Sequence, residues 1–157
     1  MKIIGNTTIH PFFFYTGKIA GYITWIVLIL SIFNVINIGE QHIESLNILS
    51  ITLASIGLLI ILISLINLGS STSLGVPSEN TKFKENGLYK FSRNPMYLGF
   101  NFLTISSFIF TANLLILVMG ISSLAVYHFI ILGEERFLEQ RFEQKYTQYM
   151  KKVRRYF

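Results

Sequence analysis

The sequence predicts an all-α, polytopic membrane protein with four transmembrane helices and a C-terminal cytoplasmic amphipathic helix. Three observations lead there. Hydrophobic residues make up 52 % of the chain and charged residues only 13 %, roughly half the charged share of a soluble domain. The apolar residues are gathered into long uncharged runs rather than spread at amphipathic spacing, as suits a lipid solvent. The 13 Lys and Arg residues fall only in segments that four crossings place on one side of a membrane.

The length suits one domain, 1–157. The first span is expected from about Ile19 to Ile38, uncharged and about 30 Å long as a helix, the thickness of the hydrocarbon core. A short acidic turn around Glu40, His42 and Glu44 leads to a second span, about Leu46 to Leu68. The polar stretch 69–94 follows, punctuated by Gly69, Gly75, Pro77 and Gly87. It is long for an idle connection, which makes it a functional candidate. From Met96 to Leu132 no Lys, Arg or Glu occurs. One straight helix of that length would reach about 55 Å, so the run divides at Thr111-Ala112-Asn113 into spans 95–110 and 114–133. The tail, 134–157, is charged, and Leu138, Phe142, Tyr146 and Tyr149 recur at helical spacing, so an amphipathic interfacial helix is expected.

Charge sets the expected topology. Lys2 and Lys18 precede the first span; Lys82, Lys84, Lys90 and Arg93 lie in the polar stretch; the remaining basic residues follow the fourth span. The positive-inside rule then makes both ends and the polar stretch cytoplasmic. Three crossings would instead set a basic tail opposite a basic loop. The net charge of +5 is thereby explained by topology and anionic headgroups, and nucleic acid is not an expected partner. The chain has no Cys, and His10, His42 and His128 are far apart, so no metal site is expected.

The candidate chemistry gathers on the cytoplasmic side. Asn94-Pro95 reads as a helix start, with Asn94 as cap and Pro95 in the first turn. A helix N-terminus offers free N–H groups to an anion, and Arg93 beside it adds a bidentate donor, or else a headgroup anchor. Glu134-Glu135 sits at the inner end of the fourth span, where the helix dipole disfavours carboxylates. The pair is a solvated helix end, a site for a cationic or hydroxyl-bearing ligand, or simply a partner for Arg93 or the basic tail.

The pattern Gly87-x-Tyr89, Ser92-Arg93-Asn94-Pro95-Met96-Tyr97-Leu98-Gly99, then Glu134-Glu135-x-x-Leu138, Tyr146-x-x-Tyr149 and Val153-x-Arg155 resembles the isoprenylcysteine carboxyl methyltransferase family and the related phospholipid methyltransferases. Leu68-Gly69, Gly75-Val76-Pro77 and Thr81 extend the resemblance upstream; nothing before Leu68 takes part. The chain departs from the family at Asn94, where relatives usually carry His; Asn donates hydrogen bonds but is no base near neutral pH.

The resemblance implies S-adenosylmethionine as methyl donor and a hydrophobic small-molecule or lipid acceptor drawn from the bilayer. It implies cofactor binding by Gly87, Tyr89, Arg93, Asn94, Pro95, Tyr97, Leu98, Gly99, Glu134 and Glu135, with Arg93, Asn94 and Glu135 closest to the chemistry. Arg93 and the third helix's N-terminus suit the donor's carboxylate; Glu134 or Glu135 suits its ammonium or ribose hydroxyls. Tyr89 and Tyr97 suit the adenine or sulfonium, or serve as interfacial anchors. Lys152, Arg154 and Arg155 are candidates for an acceptor carboxylate or phosphate, or for headgroup anchoring. Two other readings stand beside this one: an NADPH-dependent membrane reductase, although no Gly-x-Gly-x-x-Gly fingerprint is present, and a non-catalytic scaffold or lipid binder. Oligomeric state is not legible.

Overall fold

A computed structural model describes residues 9–38, 44–69 and 83–156. The expectations placed on Lys2, Glu40, His42, Gly75, Pro77, Thr81 and Lys82 lie outside these residues. The described residues contain four α-helices and no strand: α1 Pro11–Ile32, α2 Glu44–Leu68, α3 Pro95–Thr111 and α4 Leu114–Lys152, with a 3₁₀ helix at Gly87–Lys90 before α3. Three of them, α1, α2 and α4, are long and apolar enough to cross a membrane. The 17 residues of α3 reach about 26 Å.

The helices alternate in direction. Tyr97 meets Glu134 while Thr104 meets Gly120, so α3 and α4 run antiparallel. Ser50 meets Ser106 while Gly57 meets Gly99, so α2 and α3 do too. Phe14 shares a cluster with Tyr97, and Thr24 bonds Ser107, so α1 runs parallel to α3. The α3 helix is central, touching each of the other three.

The packing is inverted relative to a soluble protein. The buried positions of α2 are Ser50, Gly57, Ile61 and Ser64, whereas Ile48, Leu58, Leu59, Leu62 and Ile66 point outward. Lipid tails are as apolar as leucine, so helices associate through close backbone approach and interhelical hydrogen bonds instead of apolar burial. Both devices are present. A Cβ on Gly99 would lie 2.6 Å from the Gly57 carbonyl oxygen, and Gly17 and Gly21 of α1 meet Val126, Ser123 and Tyr127 of α4 just as closely. Ser50 and Ser106 donate to each other's carbonyls at 2.8 and 2.7 Å, Ser107 Oγ donates to Thr24 O at 2.6 Å, and Trp25 Nε1 donates to Thr104 Oγ1 at 2.9 Å. The inverted packing and the apolar helices make this an integral membrane protein.

The break expected at Thr111-Ala112-Asn113 is found there: Ala112 is left-handed (φ 46°), and Asn113 Oδ1 accepts from the N–H groups of Leu115 and Ile116. Two regions differ from expectation. The α1 helix starts at Pro11, eight residues before Ile19, because His10 Nδ1 accepts from Phe12 N and Pro11 is preset for a first turn. Lys18 therefore lies inside the helix, its ammonium 4.2 Å from the Phe14 ring centroid. The helix ends at Ile32 rather than Ile38, with Asn34 in a left-handed turn (φ 55°).

The tail is the second difference. No break occurs at Glu134; α4 continues to Glu143, whose φ of 44° and ψ of −118° are non-helical and divide it into two arms. A straight helix would carry the chain about 25 Å from Glu135 by Lys152, yet Arg155 Nε lies 3.0 Å from Glu135. The second arm therefore turns back. The expected apolar face is not left to the interface: Tyr146, Tyr149 and Val153 form a cluster with Phe83, Leu138, Phe142 and Met150, and Tyr149 OH donates to Tyr89 O at 2.6 Å.

Candidate active site

The turn at Glu143 and the segment before α3 bring the candidate residues to one end of the bundle. Phe83–Arg93 lies against the second arm of α4, and the C-terminal segment 153–156 runs beside 92–94. Arg93 N donates to Arg154 O at 3.0 Å, and Ser92 Oγ donates to Arg155 O at 3.2 Å. Gly87 is required by its backbone, with φ of +62° and a side-chain position filled by Asn67 of α2.

Glu135 is the hub, buried to 5 % exposure. Its Oε1 accepts from Asn94 Nδ2 at 2.9 Å, and its Oε2 accepts from Arg155 Nε at 3.0 Å with Arg155 Nη2 at 2.9 Å. The Arg155 guanidinium is held still more firmly protonated by these bonds. Arg93 Nε is 3.3 Å from Oε1, an ion pair by distance, but its N–H is off line and forms no hydrogen bond there. A buried carboxylate is tolerable only with such compensation.

Glu134 is the next residue but points elsewhere. Successive helical residues differ by about 100° around the axis, which turns Glu134 toward α1 and α3. Its Oε1 accepts from Tyr97 OH at 2.8 Å. Tyr97 in turn packs with Phe14, Tyr127, Ile130 and Ile131. The Lys18 charge acts on Glu134 from α1.

Asn94 stands at the N-cap of α3 but makes no side-chain cap bond, against expectation; its amide is drawn to Glu135 and to the Arg155 carbonyl at 3.3 Å. Its backbone N–H donates instead to Ser92 Oγ at 3.2 Å. The first turn of α3 thus keeps N–H donors free of a side-chain acceptor. Pro95, Leu98 and Gly99 are buried in that turn and the next, Gly99 against α2. Tyr89 is buried on the second arm of α4, where desolvation and the neighbouring Tyr149 and Glu134 charges push its phenol pKa up, so it stays protonated.

The structure thus brings Arg93, Asn94, Glu135 and Arg155 into direct contact, with Glu134 and Tyr97 adjoining. Lys152 and Arg154 are exposed and make no contact with this centre through their side chains. Sequence reasoning missed Ser92 and Lys18; a pairing of Arg93 or the basic tail with Glu134-Glu135 was expected as one alternative, and the structure shows it at Glu135 with Arg93 and Arg155. Only Ser92 had a local signal, as a short hydroxyl two residues before a helix start.

Helices of membrane length joined to a buried, charge-compensated polar centre at one end of the bundle define an integral membrane protein with an enclosed site at the rim of its apolar region. The chain belongs to the phospholipid methyltransferase family, whose model matches residues 45–145, from α2 past the turn in α4. It is accordingly a methyltransferase; α1 and the C-terminal segment that holds Glu135 lie outside the match. Comparison with curated proteins gives no match.

Proposed function

We propose that the protein transfers a methyl group from S-adenosylmethionine to a lipid-like or small hydrophobic acceptor (a carboxylate, amine or thiol) at the cytoplasmic face of the membrane. In this reading all four helices cross the bilayer as one domain, with both ends inside, because that places every Lys and Arg on one side.

The observation that carries the reading is the unequal engagement of two adjacent carboxylates. Glu135 is saturated by Asn94, Arg155 and Arg93 and fits a supporting role. Glu134 has one oxygen bonded to Tyr97, and its second has no hydrogen-bond donor among the described residues. That oxygen fits the donor's ammonium or a ribose hydroxyl. The Arg93 Nε–H, buried and without a hydrogen bond, and the uncapped first turn of α3 fit its carboxylate. When bound, S-adenosylmethionine supplies a methyl group activated by a sulfonium. The chain's part is to hold donor and acceptor in line and to exclude water. Tyr89 and Tyr97 would wall the cofactor, and Lys152 and Arg154 would meet the acceptor's anionic group or the headgroups around it.

Calorimetry of the protein in lipid nanodiscs tests this. S-adenosylmethionine should bind and NADPH should not. Arg93→Ala and Glu134→Gln should each weaken binding about tenfold, the loss of one charge-assisted hydrogen bond. Absence of binding by folded wild-type protein, or unchanged affinity in both variants, would overturn the assignment.

A further inference from the structure

A lysine stands inside the first helix with no anion holding it. Lys18 lies one turn past Phe14 in α1, half-buried, its ammonium 4.2 Å from the centroid of the buried Phe14 ring. Among the described residues it makes no hydrogen bond and closes no ion pair. An ionisable group within a membrane helix is costly and calls for a partner and a purpose.

The helix directions turn this ammonium toward Glu134. Side chains tilt toward the N-terminus of their own helix. Because α1 and α4 run in opposite directions, the Lys18 stem climbs over Phe14 toward the polar rim, while Glu134 leans back from the rim into the bundle. The two helices are close here: Gly17 and Gly21, on either side of Lys18, meet Val126, Ser123 and Tyr127 with no room for a Cβ. Phe14 and Tyr97 share one cluster, and Tyr97 OH donates to Glu134 at 2.8 Å. The titratable groups that face Glu134 are Lys18 from α1, Tyr97 from α3, Tyr89 from the 3₁₀ helix and Glu135 from its own helix. Lys18 is the cation among them.

We propose that Lys18 is a positioning residue that keeps Glu134 ionised, and that Glu134 uses its second oxygen to accept from the ribose hydroxyls of the methyl donor. The inference rests on the function reading above and chooses between the two donor groups it allows. Charge decides the choice. A ligand ammonium brought to the free oxygen of Glu134 would be repelled by Lys18. A hydroxyl carries no charge and meets no such repulsion. Its bond to an ionised oxygen is roughly twice as strong as one to a neutral carboxyl, and protonation of Glu134 would forfeit that gain. A nearby positive charge favours the carboxylate over the acid. Lys18 therefore acts through Glu134 and needs no contact with the ligand. The helix that supplies it lies outside the stretch matched by the family model.

The experiment uses the full chain in nanodiscs and calorimetry across the neutral pH range. The probes are S-adenosylmethionine and methylthioadenosine, which keeps the adenine and ribose but has neither the amino-acid end nor the sulfonium. Glu134→Gln should weaken both probes by the same factor, about tenfold. Affinity for methylthioadenosine should rise with pH as the carboxyl ionises. Lys18→Met keeps the stem and removes the charge, so it should move that rise upward by about one pH unit. The variant is then about tenfold weaker on the acid side and approaches wild type on the alkaline side. Lys18→Arg should restore the wild-type profile, and Lys18→Met should add nothing to Glu134→Gln. Should Lys18→Met fail to fold, Lys18→Gln carries the comparison. A Lys18→Met profile that overlies wild type overturns the proposal, since the lysine then only reaches for the headgroups. So does a loss that is the same at every pH, or one that Lys18→Arg does not restore. Wild-type protein that binds S-adenosylmethionine but not methylthioadenosine, or a Glu134→Gln that loses only the former, also overturns this proposal alone. Wild-type protein that binds neither probe overturns the function reading beneath it.

Discussion

Replacing Glu135 with Gln keeps the side chain's volume and one acceptor oxygen but removes the counter-charge of two arginines. Removing one partner of a buried ion pair costs about 3–5 kcal/mol, because the remaining charge is left buried. The structure sets a lower figure here. The Arg93 side chain is 10 % exposed, so its charge is stranded, but that of Arg155 is 34 % exposed and solvent screens it. The expected loss is about 2–3 kcal/mol, which for a chain of this size lowers Tm by about 4–12 °C. The single tryptophan, Trp25, is bonded to Thr104 between α1 and α3 and reports unfolding by its fluorescence in nanodiscs. Asn94→Ala, which removes one hydrogen bond from the same carboxylate, should lower Tm by less. A Glu135→Gln melt within about 1 °C of wild type would show that this carboxylate is not the hub of the centre, and the division of labour between Glu134 and Glu135 would fall with it.

Three further outcomes can be checked. Gly99→Ile puts a side chain where the Gly57 carbonyl lies 2.6 Å from a Cβ, and the overpacking should cost about 1–3 kcal/mol, read as a lower Tm. Glu143→Gly should raise Tm by about 2–4 °C, since φ 44°, ψ −118° is a conformation that glycine adopts without strain and that costs other residues about 1 kcal/mol or more; a lower Tm would mean that the turn is held by the glutamate side chain. The chain has no cysteine, so single cysteines report topology directly. Phe91→Cys and Lys152→Cys should react with a membrane-impermeant maleimide from the cytoplasmic side and Val35→Cys from the opposite side, whereas labelling of Phe91 and Lys152 from different sides would leave only three crossings.

Much of the fold was legible because a bilayer is a demanding solvent. Uncharged runs of the right length have few alternatives to helix, and the turn between α3 and α4 was visible in Thr111-Ala112-Asn113 because an asparagine cap is a local signal. The start of α1 was obscured by Lys18, which reads as a flanking charge until its stem is seen folded over Phe14. The reversal at Glu143 had no signal at all, since a glutamate in a helical pattern gives no hint of a left-handed backbone. That turn is held by the aromatic cluster around Phe83, whose members come from segments more than fifty residues apart.

The same division runs through the site. Arg93, Asn94, Glu134 and Glu135 stood out by their position beside a helix start and a helix end, a matter of charge against hydropathy along the chain. The sequence by itself determined that the protein lives in a membrane and led to the expectation that these four residues lie on one side of it. It could not rank the two glutamates, which share a charge and a neighbourhood. Helical rotation of about 100° per residue sends one toward Tyr97 and the other toward Asn94. Whether an arginine waits there depends on the chain turning back at Glu143 to deliver Arg155. Only the tertiary structure decided that Glu135 ties Asn94, Arg93 and Arg155 together while Glu134 accepts from Tyr97.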